Sequence, residues 1–230
     1  MTDSPVHRLG AHGSAEAAIA DVQSRGTCVF CGGEYPKSGM SRHLAACARR
    51  GRGTEERLPI VVEGVWAPGY WLHLEMKPVA PLSSLDDFLR KTWLECCGHM
   101  SSFEIGDRRF DSALDDFDPD DGESMEVAVG EVLEPGAAAR YVYDFGSSTE
   151  LKLRVLAPRL GKPAREQVRL VARNTAPSIR CKRGHGDALH ICASCNKPLC
   201  QECAPGHRCG VEMLLPVVNS PRVGTCAYGT

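Results

Sequence analysis

Between residues 181 and 209 the chain places Cys181, His185, Cys192, Cys195, Cys200, Cys203, His207 and Cys209, a density of thiols and imidazoles for which an ordinary apolar core has no use. Zinc takes four tetrahedral ligands from thiolate sulfur and imidazole nitrogen, and a C-x2-C pair on a tight turn offers two sulfurs to one ion without straining the backbone. Two such pairs occur, Cys192/Cys195 and Cys200/Cys203, flanked by the looser pairs Cys181-x3-His185 and His207-x-Cys209. Four ligand pairs in succession suit a cross-brace, in which the first and third pairs hold one ion and the second and fourth hold the other. A sequential arrangement of neighbouring pairs is the competing option, and His190 is a spare donor able to replace His185. Four filled positions leave no place for a reactive water, so sites of this kind fold a chain rather than catalyse.

The rest of the cysteine inventory points the same way. Twelve cysteines in 230 residues are unevenly placed: Cys28, Cys31 and Cys47 near the start, Cys96 and Cys97 in the middle, and the remainder after residue 180. Disulfide frameworks belong to small secreted chains, and the first residues lack the basic and apolar regions of a secretory signal. No stretch approaches a membrane span, so the expected compartment is a reducing cytoplasm with the thiols on zinc. Net charge is −2, with basic ends and an acidic middle. That balance excludes a uniformly cationic nucleic-acid coat and leaves room for a small basic patch.

Residues 1–26 open with Pro, Gly and His and then offer an alanine-rich run from Ser14, read as a short helix with Ser14 as N-cap or as a frayed terminus. Next, Cys28-Val-Phe-Cys31, His43 and Cys47 space as C-x2-C-x11-H-x3-C, with Tyr35 and Met40 where a ββα finger keeps its small apolar core. His43 and Cys47, four apart, share one face of a helix. The stretch resembles the C2H2 zinc-finger family in its C2HC form, with a linker one residue shorter than usual. The resemblance implies zinc-ligand roles for Cys28, Cys31, His43 and Cys47. A lone finger spans only about three base pairs, which weighs against sequence reading. Arg42, Arg49, Arg50 and Arg52 lie on or just beyond the finger helix, where they either bind phosphate or complement the helix end.

From Arg57 the pattern turns to strands. Leu58-Pro-Ile-Val-Val-Glu and Tyr70-Trp-Leu-His-Leu-Glu-Met read as two, the second alternating so that Tyr70, Leu72, Leu74 and Met76 share the core face and His73 faces solvent. Leu85, Phe88, Leu89, Trp93 and Leu94 then recur at helical spacing, forming the dominant helix of the middle. Ser102-Phe-Glu-Ile, Arg140 to Phe145, Leu151 to Leu156 and Gln167 to Arg173 read as further strands, with residues 124–130 a strand or a short helix. Asp115, Asp116, Asp118, Asp120 and Asp121 make an acidic loop whose spacing fails the calcium-binding EF-hand pattern. Four to six strands and one dominant helix give an α+β domain.

In this middle, Tyr141-Val-Tyr-Asp-Phe-Gly-Ser-Ser-Thr-Glu-Leu, preceded by Leu85-Asp-Asp-Phe-Leu, Trp93 and Met100-Ser-Ser-Phe-Glu-Ile, resembles the ORF-three-like family named from an Ri plasmid, some of whose members are labelled transposon passenger or TnpR-like proteins. The likeness covers roughly residues 57–175 and implies an α+β fold without a defined activity. Ser147 and Thr149 stand where that family has an acidic residue and an aromatic one. The tail from Leu214 to Tyr228 is similar to the ending of bacterial proteins that join such a domain to zinc modules. The order of the C-terminal ligands is RING- or B-box-like, which implies a treble-clef module with a partner-binding face.

For catalysis the middle offers only Asp144 beside Gly146 and Glu75 with His73, neither in a recognisable nucleophile–base constellation. Cys96-Cys97 is a redox candidate, although adjacent cysteines rarely close a disulfide, and Cys226 in the tail reads as a packed thiol. The expected organisation is therefore a flexible segment or short helix (1–26), a C2HC finger (27–53), an ORF-three-like α+β domain (57–176) and a double-zinc module with its tail (180–230). The expected function is a zinc-binding, non-catalytic interaction protein of prokaryotic or mobile-element type. It carries about three zinc ions and presents surfaces to a protein or nucleic-acid partner. A DNA-binding regulator or transposon accessory protein using the basic finger is the alternative, and an enzyme with an unrecognised central site the more remote one.

Overall fold

The computed structural model describes residues 24–113 and 122–229. The alanine-rich run from Ser14 and the acidic loop Asp115 to Asp121 lie outside these residues. The described elements, in chain order, are β1 (Arg25–Cys28), β2 (Glu34–Pro36), α1 (Lys37–Ala46), β3 (Glu55–Gly64), β4 (Trp71–Met76), α2 (Leu82–Leu89), β5 (Ser101–Ile105), β6 (Arg108–Asp111), β7 (Glu123–Ser124), α3 (Val129–Val132), β8 (Ala138–Tyr143), β9 (Thr149–Val155), β10 (Arg159–Gly161), β11 (Val168–Asn174), β12 (His190–Cys192), β13 (Pro198–Leu199) and β14 (Leu214–Pro216). The molecule is mixed α+β and mostly sheet, more strand-rich than the sequence led us to expect.

One sheet dominates, in the order β2-β1-β11-β4-β3-β9-β8-β5-β6-β7, with β10 on β3. Its neighbours are antiparallel, apart from β6 and β7. One face carries the main core. Leu58, Ile60, Leu72, Leu74, Met76, Phe103, Tyr141 and Leu153 pack there with Leu82, Leu85, Leu89, Trp93 and Leu94, all buried. α2 runs on into a wider π turn (Arg90–Leu94), which turns the adjacent Trp93 and Leu94 both inward. Residues 124–130 resolve into both alternatives, a strand end at Ser124 and a helical turn from Val129.

The finger hairpin is an edge of this sheet. β1 pairs with β11 in the register Gly26 to Asn174 and Cys28 to Ala172, so two finger strands extend the central sheet by hydrogen bonds. A Cβ at Gly26 would meet Arg173 O at 2.3 Å, so only glycine allows this approach. A register shift in β11 between Leu170 and Ala172 lets Val171 and Ala172 both reach the apolar cluster of Cys28, Met40, Leu44 and Trp71. Helix α1 thus covers the opposite face of β4. That corrects the placement of His73: alternation along β4 holds, but its second face lies under the finger, and all six residues of the strand are buried.

The C-terminal part is likewise attached. Ile179, Ala188 and Ile191 join the main core, and β12, β13 and β14 form a small second sheet. The tail then crosses the central domain. Asn174 Nδ2 donates to Asn219 Oδ1 (2.7 Å), Asn219 Nδ2 returns a bond to Asn174 O (2.9 Å), and Ser220 Oγ donates to Trp93 O (2.6 Å). Gly224, at φ 78°, sits so close to Ile191 that a Cβ would meet Cγ2 at 2.7 Å.

Candidate metal centres

Residues Cys28 and Cys31 flank a knuckle turn: Cys28 N donates to Gly33 O (3.0 Å) and Gly32 N to Cys28 O (2.8 Å). The turn aims both sulfurs at one point, and α1 brings His43 opposite, with Cys47 just past its end. The four ligand atoms lie within 4.8 Å of one another. Cys28 Sγ is 4.0 Å from Cys47 Sγ and Cys31 Sγ is 3.4 Å from His43 Nε2. A tetrahedron with zinc's usual bond lengths has S···S edges of about 3.8 Å and S···N edges of about 3.5 Å, so the donor set fits. Tyr35 stacks on the His43 ring at 3.7 Å and fixes its plane. The backbone N–H of Gly33 points at Cys31 Sγ (3.4 Å) and draws that thiol below its ordinary pKa, favouring the thiolate a metal needs.

At the C-terminal end the ligand pairs interleave. Cys192, Cys195, His207 and Cys209 form one group within 4.8 Å, with Cys195 Sγ 3.4 Å from His207 Nε2. Cys181, Cys200 and Cys203 form another, and His185 brings Nδ1 to 3.4 Å from Cys203 Sγ. First pair meets third and second meets fourth, the cross-brace geometry. His190, by contrast, lies in β12, opposite Leu199 and Pro216, and its Nδ1 is buried without a hydrogen-bond partner. Burial raises the Cys181 thiol, but backbone N–H groups at Arg183 and Cys200 outweigh it and bring the pKa to about 7. The apolar residues around these ligands are few: Leu199, Ala204 and the partly buried Leu214.

A fourth group, Cys96, Cys97, His99 and Cys226, also lies within 4.8 Å. By sequence Cys96-Cys97 reads as a redox pair and Cys226 as a packed thiol; the fold brings all three together with His99. The C-C-x-H spacing of Cys96, Cys97 and His99 was the available signal, but the fourth donor, Cys226, is 129 residues from Cys97. No disulfide joins any of the described cysteines.

The basic finger residues divide. Arg42, Arg49 and Arg52 are exposed. Arg50 is buried, its Nε donating to Glu75 Oε1 (2.9 Å) and Nη1 to Leu44 O (2.8 Å), and so it is withdrawn from any phosphate contact. The helix-end placement legible in sequence says nothing of a buried carboxylate on another strand.

The central catalytic candidates Glu75, His73 and Asp144 are all buried. Glu75 is enclosed by Arg50, Arg159 and Arg169; burial raises its carboxyl, and the three guanidiniums more than reverse this, holding it below the ordinary range. His73 is driven down to about 4 by burial, with Arg154, Arg50 and Lys37 adding to the effect. Asp144, at φ 65°, accepts N–H bonds from Gly146 and Ser147 at Oδ1 (3.0 Å each) and Arg222 Nη2 at Oδ2 (2.6 Å), which closes a tight turn. A hollow of about 840 Å³ lies over β3 and β4 beside α1. Three cations line it: Lys37 and Lys152, both paired with Glu63, and Arg154.

No helix among the described residues is long and apolar enough to cross a membrane. No family model matches the chain, and no curated protein matches it. Among solved structures, a protein of unknown function from Methanosarcina mazei Go1 is similar over 56% of this chain and 72% of that chain, at 16% identity and a TM-score of 0.42.

Proposed function

We propose that the chain is a zinc-binding, non-catalytic interaction protein whose predicted sites hold about three zinc ions, each with a structural role. The observation that carries this reading is the closure of the sites. Cys28/Cys31/His43/Cys47 and Cys192/Cys195/His207/Cys209 each bring four protein donors together, and Cys181/Cys200/Cys203 gain a fourth in His185. A tetrahedral ion so held has no open position for substrate or water. In this reading residues 57–175 are an ORF-three-like domain of prokaryotic or mobile-element type, and the zinc modules shape its ends for a macromolecular partner.

A protein partner is the reading favoured here. Trp66, at the β3–β4 turn, is 62% exposed and Val29, in the finger knuckle, 57%, the kind of apolar anchors that protein interfaces bury. The alternative, nucleic-acid binding through the finger, rests on the exposed Arg42, Arg49 and Arg52. Elemental analysis of the purified chain tests the zinc reading; one ion or none refutes it. Capture of partners from extract with and without nuclease, followed by salt titration, separates the two partner classes. A nucleic-acid complex with several phosphate contacts weakens by orders of magnitude between about 50 and 200 mM salt, whereas an apolar protein interface does not.

A further inference from the structure

Three cysteines and a histidine remain outside those sites, and the fold gathers them. Cys96, Cys97 and His99 follow the π turn that ends the main helix; Cys226 arrives from the far end of the chain on the tail. Gly98, at φ 80°, reverses the chain between Cys97 and His99, and its N–H is held by Glu95 Oε1 (2.6 Å), which also accepts from Tyr143 OH (3.0 Å). The result is a compact set of donors. Cys97 Sγ is 3.6 Å from both Cys96 Sγ and Cys226 Sγ and 3.0 Å from His99 Nε2, and Cys226 Sγ is 3.8 Å from the same nitrogen. These edges approach the zinc tetrahedron of about 3.8 and 3.5 Å, and they are far too long for S–S bonds.

Two further observations point to an ion. Three thiolates on a divalent cation leave a net negative charge, and Arg222 lies against the cluster, with Nη2 3.5 Å from Cys96 Sγ. Asp144 Oδ2, 3.4 Å from His99 Nε2, is itself bound to Arg222. The second observation is stoichiometric. The chain has 12 cysteines, and with this group every one of them falls in a cluster of three cysteines with a nearby histidine.

We propose that Cys96, Cys97, His99 and Cys226 form a fourth zinc site, which fastens the C-terminal tail to the central sheet. It uses none of the residues of the other three centres. The ion adds a coordinate bond where Ser220, Arg222 and Asn219 already dock the tail by hydrogen bonds. Cys97 and Cys226 are exposed, so this ion exchanges more readily than those in the enclosed C-terminal sites.

The test is metal content of the full chain purified with zinc, compared with Cys226→Ala and His99→Ala. The expected result is about four ions in the natural chain and about three in each variant. Trypsin, followed by mass spectrometry, is expected to cut after Arg222 in the variants and to leave that bond intact in the natural chain. About three ions in the natural chain, or equal content in all, overturns the fourth site and leaves the other three standing; little or no zinc overturns both readings. A measurement without mutation completes the test: zinc-loaded protein is treated with iodoacetamide. Cys97 and Cys226 are expected to resist alkylation until a mild chelator is added, and their immediate labelling in the presence of zinc refutes the site.

Discussion

Arg50 and Glu75 join the finger to the sheet from inside: Arg50 Nε donates to Oε1 of Glu75 at 2.9 Å, with both side chains buried. Arg159 and Arg169 complete the enclosure. A carboxylate in this position is the shared counter-charge of three guanidiniums, and their costs of burial are coupled through it.

Glu75→Ala leaves three arginines facing one another without that counter-charge, and the expected loss is on the order of 3–5 kcal/mol, measured by urea denaturation. Arg50→Ala is expected to cost less, because Arg159 and Arg169 still neutralise the carboxylate. The Glu75 carboxyl is held below its ordinary value, so its contribution is present above the unfolded pKa. It is lost only as pH falls through the folded one.

His73 carries the opposite charge logic to the same pH direction. Its folded pKa is about 4 against an ordinary 6.5, so the unfolded chain takes up the proton first as the medium acidifies. Stability is therefore complete above pH 6.5 and declines towards pH 4. His73→Leu removes the titration, and the loss between pH 7 and pH 5 is expected to shrink by about 2 kcal/mol relative to the natural chain. Paired urea curves at the two pH values check it, since effects of acid on the zinc ligands are common to both proteins.

The interleaved ligands make the C-terminal module cooperative. Cys195→Ala and Cys200→Ala remove ligands of different ions, yet each is expected to release about two, because neither half of so small an apolar cluster folds alone. Elemental analysis reads the loss, and proteolysis is expected to trim residues beyond about 180 while β3 to β9 survive. Unchanged zinc content and thermal stability in either variant would refute the arrangement.

Loss of the finger ion should be felt in the sheet. In Cys31→Ala or His43→Ala, α1 loses its anchor over Trp71, which is fully buried and whose Nε1 donates to Ser24 Oγ at 2.7 Å. The expected signature is a red shift of tryptophan emission together with loss of about one zinc ion. An unshifted spectrum would show that β1 and α1 stay docked without metal.

Much of this molecule was legible in its sequence because the relevant signals are local. C-x2-C turns, the His43–Cys47 spacing on one helix face, and the run of Leu85, Leu89 and Trp93 each depend on residues a few positions apart. The strand alternation of Tyr70, Leu72, Leu74 and Met76 was likewise readable. What covers the other side of that strand was not, so His73 seemed exposed.

Sequence by itself determined the candidate ligands: nine cysteines and three histidines in three spaced sets, with few apolar residues around the last two. Only the tertiary structure decided how the ends attach. It laid β1 along β11, spent Arg50 on Glu75, chose His185 over His190, and brought Cys226 to Cys97. Those are contacts between positions tens to more than a hundred residues apart, fixed by sheet register and the path of the tail, and no local pattern encodes such a path.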